Sequence, residues 1–98
     1  MNVRHSDPRL ERLEREDVAR TKFSRDLVTL YRRRMQLIRA ARDERDSYAL
    51  KSLHYEKLSG WRSYQRSMRL NKRWRLILEF ETLDDSRTVV VVGIEDYH

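Results

Sequence analysis

Alternation with a period of two runs through the second half of this 98-residue chain, and only a sheet satisfies it. In Trp74–Glu81, the side chains of Trp74, Leu76, Leu78 and Phe80 share one face. Arg75, Ile77, Glu79 and Glu81 take the other. In Tyr64–Leu70, Tyr64, Met68 and Leu70 share a face with Arg66, opposite Ser63, Gln65, Ser67 and Arg69. The run Val89-Val90-Val91-Val92-Gly93-Ile94 is apolar throughout and reads as a buried strand. Asn71-Lys72-Arg73 and Leu83-Asp84-Asp85-Ser86 carry turn chemistry between these segments, which gives an antiparallel meander of three strands.

The first half follows a different period. Ser6 and Asp7 before Pro8 predict a helix start, because an Asp side chain accepts from unpaired N–H groups and proline is pre-set for the first helical position. Leu10 and Leu13 make this a short amphipathic helix to about Arg15. Phe23, Leu27, Leu30, Tyr31, Met35, Ile38 and Ala41 recur at helical spacing and form the core face of a longer helix. Residues 2–5 predict a fourth, N-terminal strand. Residues 42–60 are read as a helix end, a turn or short helix around Tyr48–Leu53, and a loop closing at Ser59-Gly60. The expected fold is α+β, with two N-terminal helices packed on one face of a mainly antiparallel three- to four-stranded sheet. It forms one domain over residues 1–98, and its open face presents Arg69 and Arg75.

The buried strand ends in Glu95-Asp96-Tyr97-His98, an acid, a phenol and an imidazole where aliphatic residues would have continued the packing. A strand holds such groups on a rigid backbone, while a chain end leaves them within reach of a large substrate. The net charge is +6 and is unevenly spread: residues 51–80 hold eight basic and two acidic residues, residues 81–98 one basic and five acidic. The middle third is therefore the expected contact for a polyanion, of which nucleic acid is the commonest in a cytoplasm. The absence of cysteine excludes disulfides and thiolate-bound zinc, and the three histidines lack ligand spacing, so neither metal nor cofactor is expected. The apolar runs are too short to span a bilayer and residues 1–5 have no secretory apolar segment. The expectation is a cytoplasmic protein with no membrane partner.

Around the sheet lie His54, Tyr55, Lys57, Trp61, Arg62, Tyr64, Arg66, Arg69, Lys72, Arg73, Trp74 and Arg75. Arginine and lysine neutralise phosphates, and aromatic rings stack on unpaired bases. Trp74 and Tyr64 lie on the apolar faces of their strands and are assigned to the core. Single-stranded RNA can be cut without metal when a base takes the proton of the 2′-hydroxyl, an acid protonates the leaving 5′-oxygen, and cations stabilise the phosphoryl charge. His98 suits either proton transfer, since imidazole titrates near neutrality. Asp96 or the terminal carboxylate can orient it, Tyr97 can position a base or phosphate, and Arg75 is the natural charge stabiliser. A solvated charged face is the plain alternative for the arginines.

The stretch Leu53–His98 resembles the HigB toxins of the RelE/ParE superfamily. The resemblance is carried by Leu58-Ser59-Gly60, Gln65-Arg66-Ser67-Met68-Arg69-Leu70-Asn71, Trp74-Arg75-Leu76-Ile77 and Ile94-Glu95-Asp96-Tyr97-His98. It implies a RelE-like, microbial-RNase-like fold and a toxin that enters the ribosome and cleaves mRNA during translation. It also implies a HigA-type helix-turn-helix antitoxin, with operator DNA bound through that partner. By position, Arg75 carries the family's strand arginine and Asp96, Tyr97 and His98 its terminal catalytic group. Ser59 replaces the usual lysine of the Leu-Lys-Gly turn. Lys57, two residues earlier, is the candidate substitute, and His54 stands near a position where some members carry a functional histidine. Arg62, Arg66, Arg69, Lys72 and Arg73 are the expected RNA-binding cations. Two other readings remain: a non-catalytic inhibitor of the same fold acting on DNA gyrase, as in the ParE branch, and a decayed toxin retained as a binding partner.

Overall fold

The computed structural model describes residues 2–15, 21–42, 55–83 and 86–96. Helix α1 is Pro8–Arg15. It begins where its sequence predicts: Asp7 Oδ1 accepts from the Arg9 N–H at 2.9 Å, and Pro8 occupies the first helical position. Ser6 has a different task. Its N–H donates to the Val91 carbonyl at 3.0 Å, tying the chain to the sheet before the helix turns away.

Helix α2 is Arg25–Ala40. The Ser24 side chain caps it by accepting from the Leu27 N–H at 3.1 Å. Replacing Ser24 with alanine should cost about 1 kcal/mol, because that donor then lacks a protein partner. Urea unfolding is the check, with a lower midpoint and an unchanged slope expected. Of the predicted stripe, Leu27, Tyr31, Met35, Ile38 and Ala41 are buried and Phe23 and Leu30 half-buried, and Val28 joins the buried face. The Tyr31 hydroxyl donates to the Leu10 carbonyl at 2.8 Å, and Arg32 Nε donates to the Leu13 carbonyl at 3.0 Å. These bonds clamp α1 along α2 and give the buried phenol its partner.

The sheet has five strands among the described residues: β1 Asn2–His5, β2 Glu56–Lys57, β3 Gln65–Arg69, β4 Trp74–Leu83 and β5 Ser86–Asp96, in the order β1-β5-β4-β3-β2. β1 runs parallel to β5, and the other neighbours are antiparallel. The α+β class is as expected, with one strand more than the sequence predicts. β2 falls where a loop is predicted; it is two residues long, and its pairing with β3 leaves no alternating signature. The predicted short helix around Tyr48–Leu53 lies outside the described residues. No described helix is long and apolar enough to cross a membrane.

Both helices contribute to one core with a single face of the sheet. Leu10, Leu13, Leu27, Val28, Tyr31, Met35 and Ile38 pack with Met68, Leu76, Leu78, Val89 and Val91. Phe23 and Trp74 join its edge in a T-shaped ring contact with centroids 5.6 Å apart, so the core assignment of Trp74 holds. Tyr64 departs from its assignment. β3 starts one residue later, and Tyr64 is 55% exposed.

His5, Glu14 and Arg39 form a polar clasp from β1 across α1 to α2. Arg39 grips both Glu14 oxygens at 2.7 and 3.0 Å, and His5 Nε2 lies 3.3 Å from Glu14 Oε2. The Arg39 hydrogen bonds hold the Glu14 carboxyl below its ordinary value of 4.5, against the opposing effect of burial. An unfolded glutamate takes up its proton near pH 4.5, the folded one only at lower pH. The clasp's contribution is therefore complete above pH 4.5 and is lost as pH falls through the folded value. Glu14→Gln should be less stable than the parent at neutral pH. The difference in urea midpoint should shrink as the solution is acidified.

Candidate active site at the end of the sheet

The geometry of the site follows from a bulge in β5. Leu78 pairs with Val91, but Ile77 pairs with Gly93, so Val92 is the extra residue. Val89 and Val91 face the helices before the bulge, and Ile94 packs against the same core after it. The reversal of parity puts Glu95 opposite Arg75 on the face away from the helices, and Asp96 opposite Trp74. The charged end of β5 thus meets the β3–β4 turn. There Asn71 Oδ1 accepts from the N–H groups of Arg73 and Trp74 at 2.9 and 2.8 Å, holding Lys72 and Arg73 outward.

Arg73 reaches across to the strand end: its Nε and Nη2 lie 2.8 and 2.7 Å from Asp96 Oδ2. That contact holds the Arg73 guanidinium pKa above its ordinary value. Arg62 reaches over from the other side. It follows Gly60, whose φ of 67° lies in the left-handed region that favours glycine and opens a single 3-10 turn, Gly60–Arg62. Its guanidinium grips Glu95 at 2.6 and 3.0 Å and donates to Gln65 Oε1 at 2.9 Å. Gln65 in turn donates to Glu79 at 2.9 Å.

Arg75 corrects an expectation. It is not in the open: only 7% of the residue is exposed. Its Nε donates to the fully buried Ser67 hydroxyl at 2.9 Å, and Nη2 stands 3.5 Å from Glu56 Oε1. β2 lies on the far edge of β3 and brings Glu56 opposite Ser67, while the small Ser67 side chain leaves room for the guanidinium to lie along the sheet. Arg69 is half-buried beside it, with Nε donating to the Asn71 carbonyl at 3.2 Å.

The register divides the other predicted residues. Lys57 pairs with Arg66, and Arg66 with Leu78, which places both cations on the helix side at the sheet edge. Glu56, not Lys57, shares a face with Arg75. Arg66 donates to the Ser63 carbonyl at 3.1 Å. Asp96, Arg62, Arg69, Lys72, Arg73 and Arg75 converge on one end of the sheet. Tyr97, His98 and His54 lie outside the described residues; Tyr97 and His98 follow Asp96 directly in sequence. Sequence reasoning missed Glu56, Gln65, Ser67 and Glu95 as the groups that hold the arginines. The alternation marked Gln65 and Ser67 as the face of β3 away from the core. Nothing local marked their partners.

A family model described as the RelE-like toxin of type II toxin–antitoxin system HigB matches residues 4–98. No curated protein matches the chain. A solved structure of a YoeB/ParE toxin from Agrobacterium tumefaciens superposes over 100% of both chains with a TM-score of 0.61 at 14% identity, a likeness of fold. The family match spans both helices and every β-strand from β2 onward, and it includes the charged end of β5. The chain belongs to the HigB-like family of RelE-like toxins, the toxin component of type II toxin–antitoxin systems.

Proposed function

We propose that this toxin is a ribosome-dependent mRNA endoribonuclease that arrests translation in the cytoplasm and is neutralised by a HigA-type helix-turn-helix antitoxin. The observation that carries the reading is the end of β5. There Asp96 is held by Arg73, and Tyr97 and His98 follow it in sequence; Lys72 lies in the adjoining β3–β4 turn, with Arg69 and Arg75 on the strands that flank it. Cations at this end suit an RNA phosphate, and the sequence supplies acid–base groups directly after Asp96.

In the proposed reaction the mRNA 2′-hydroxyl loses its proton to a base and attacks the adjacent phosphorus. The 5′-oxygen leaves with a proton from an acid, giving a 2′,3′-cyclic phosphate and a new 5′-hydroxyl. His98 exchanges one of these protons, Asp96 orients it, and Tyr97 positions the RNA. Arg75 stabilises the phosphoryl charge. Lys57 and His54 are candidates for the second proton transfer. Arg62, Arg66, Arg69, Lys72 and Arg73 neutralise phosphates of mRNA and ribosomal RNA, so binding should weaken steeply with salt. No metal takes part in this scheme. The antitoxin brings the pair to operator DNA.

The test is translation of a defined mRNA by purified 70S ribosomes, with new 5′ ends mapped by primer extension. Cuts that need ribosomes support the reading. Growth arrest without cuts sinks it in favour of a protein target such as gyrase. Neither cuts nor arrest would mark a decayed toxin.

A further inference from the structure

Trp61 is 80% exposed in the middle of the 3-10 turn, and Tyr64, just beyond the turn, is 55% exposed. Tryptophan is highly buried on average, so an indole this exposed, with a second exposed ring three residues on, marks a contact surface. The backbone around Trp61 is not loose: the Ser63 N–H donates to the Gly60 carbonyl at 3.1 Å, and Gly60 fixes the entry to the turn. Arg62 connects the ring to the strand end, with its guanidinium carbon 5.9 Å from the indole centroid while two of its nitrogens grip Glu95. One residue thus ties an exposed aromatic surface to the strand that carries Asp96.

We propose that Trp61, with Tyr64 as a second ring, is a stacking platform for an unpaired base of the RNA strand presented to the site. The proposal rests on the nuclease reading for its biological role, though not for the binding itself. The surroundings favour a base over a protein partner. A surface that docks a protein usually exposes a wider apolar patch, but Trp61 stands in the sequence Ser59-Gly60-Trp61-Arg62-Ser63. Among the described residues the one other exposed large hydrophobic is Leu37, on α2. Glu95 is engaged by Arg62 and Glu79 by Gln65, and the half-exposed Glu56 lies toward Arg75, while Lys57 is exposed. An exposed π-surface with a guanidinium lying against it suits a strand of bases and phosphates.

The test uses the full-length Trp74→Phe protein, in which Trp61 is the sole remaining tryptophan. It is titrated with a short single-stranded RNA bearing 2′-O-methyl groups, which cannot be cut through the 2′-hydroxyl. Saturable quenching of the indole by roughly half or more is expected, weakening with salt, with little quenching by blunt duplex RNA. No quenching, or equal quenching by duplex, overturns the platform. So does an indole that responds to the antitoxin and not to RNA. In the translation assay, Trp61→Ala should raise the toxin concentration for half-maximal cutting about tenfold, with Trp61→Phe restoring most of it. Cutting by Trp61→Ala that matches wild type at every concentration overturns the platform and leaves the nuclease standing. Quenching by a protein that cuts nothing leaves the platform and removes the nuclease.

Discussion

Replacing His98 with alanine is expected to slow ribosome-dependent cleavage by about 10²- to 10⁴-fold, the usual effect of removing a positioned acid or base. The fold should survive. Among the described residues the core cluster runs no further along the chain than Ile94, and β5 is paired to β4 through Asp96. The far-ultraviolet spectrum and melting temperature of the variant should therefore match the parent's. The pH dependence carries more information than the rate alone. A group titrating near neutrality leaves one limb in the wild-type pH–rate profile, and that limb should vanish in His98→Ala. Cleavage that keeps its rate and its pH profile would remove His98 from the chemistry. In that case the acid–base work would have to come from His54, a lysine or a tyrosine.

His98 is a candidate from the sequence alone because imidazole after a buried strand needs a reason other than packing. The elements that carry the site were legible for similar local reasons. Alternation from Trp74 to Glu81 is a property of the residues themselves, as is the stripe from Leu27 to Ile38, and both faces are buried as their periods require. Pro8 after Asp7 marked a helix start with the chemistry of two adjacent residues. What escaped depended on distant partners. β2 is two charged residues held by backbone pairing with β3, so no side-chain period announces it. The bulge at Val92 is concealed among four identical valines. Only the following glycine hints at it, although it decides which side Glu95 takes. Arg75 looked exposed because its face of the strand is polar. Its burial depends on Ser67, eight residues earlier, and on Glu56 from the missed strand. A polar side of a sheet is thus not an open side when its members can pair with one another.

That burial sets up the second prediction. Arg75→Ala should lower cleavage by about 10²-fold at saturating toxin, as expected when one donor to a developing phosphoryl charge is lost. It should also cost stability, roughly 1–2 kcal/mol, because the buried Ser67 hydroxyl loses its partner. Glu56 adds little to that cost: its side chain is half-exposed and water screens its charge. Arg75→Lys should recover much of the stability and only part of the rate. A lysine keeps the charge but has no planar fork, so it cannot bond Ser67 through one edge while offering donors through another. Ser67→Ala separates the two roles. It removes the same 2.9 Å bond from the other side and leaves the guanidinium in place. If Arg75 acts on the phosphate, Ser67→Ala should reproduce most of the destabilisation but lose only several-fold in rate. Equal rate losses in Ser67→Ala and Arg75→Ala, tracking equal losses of stability, would instead make Arg75 a residue that holds β3 and β4 together. The phosphoryl charge would then fall to Arg73 or Arg69 at the turn.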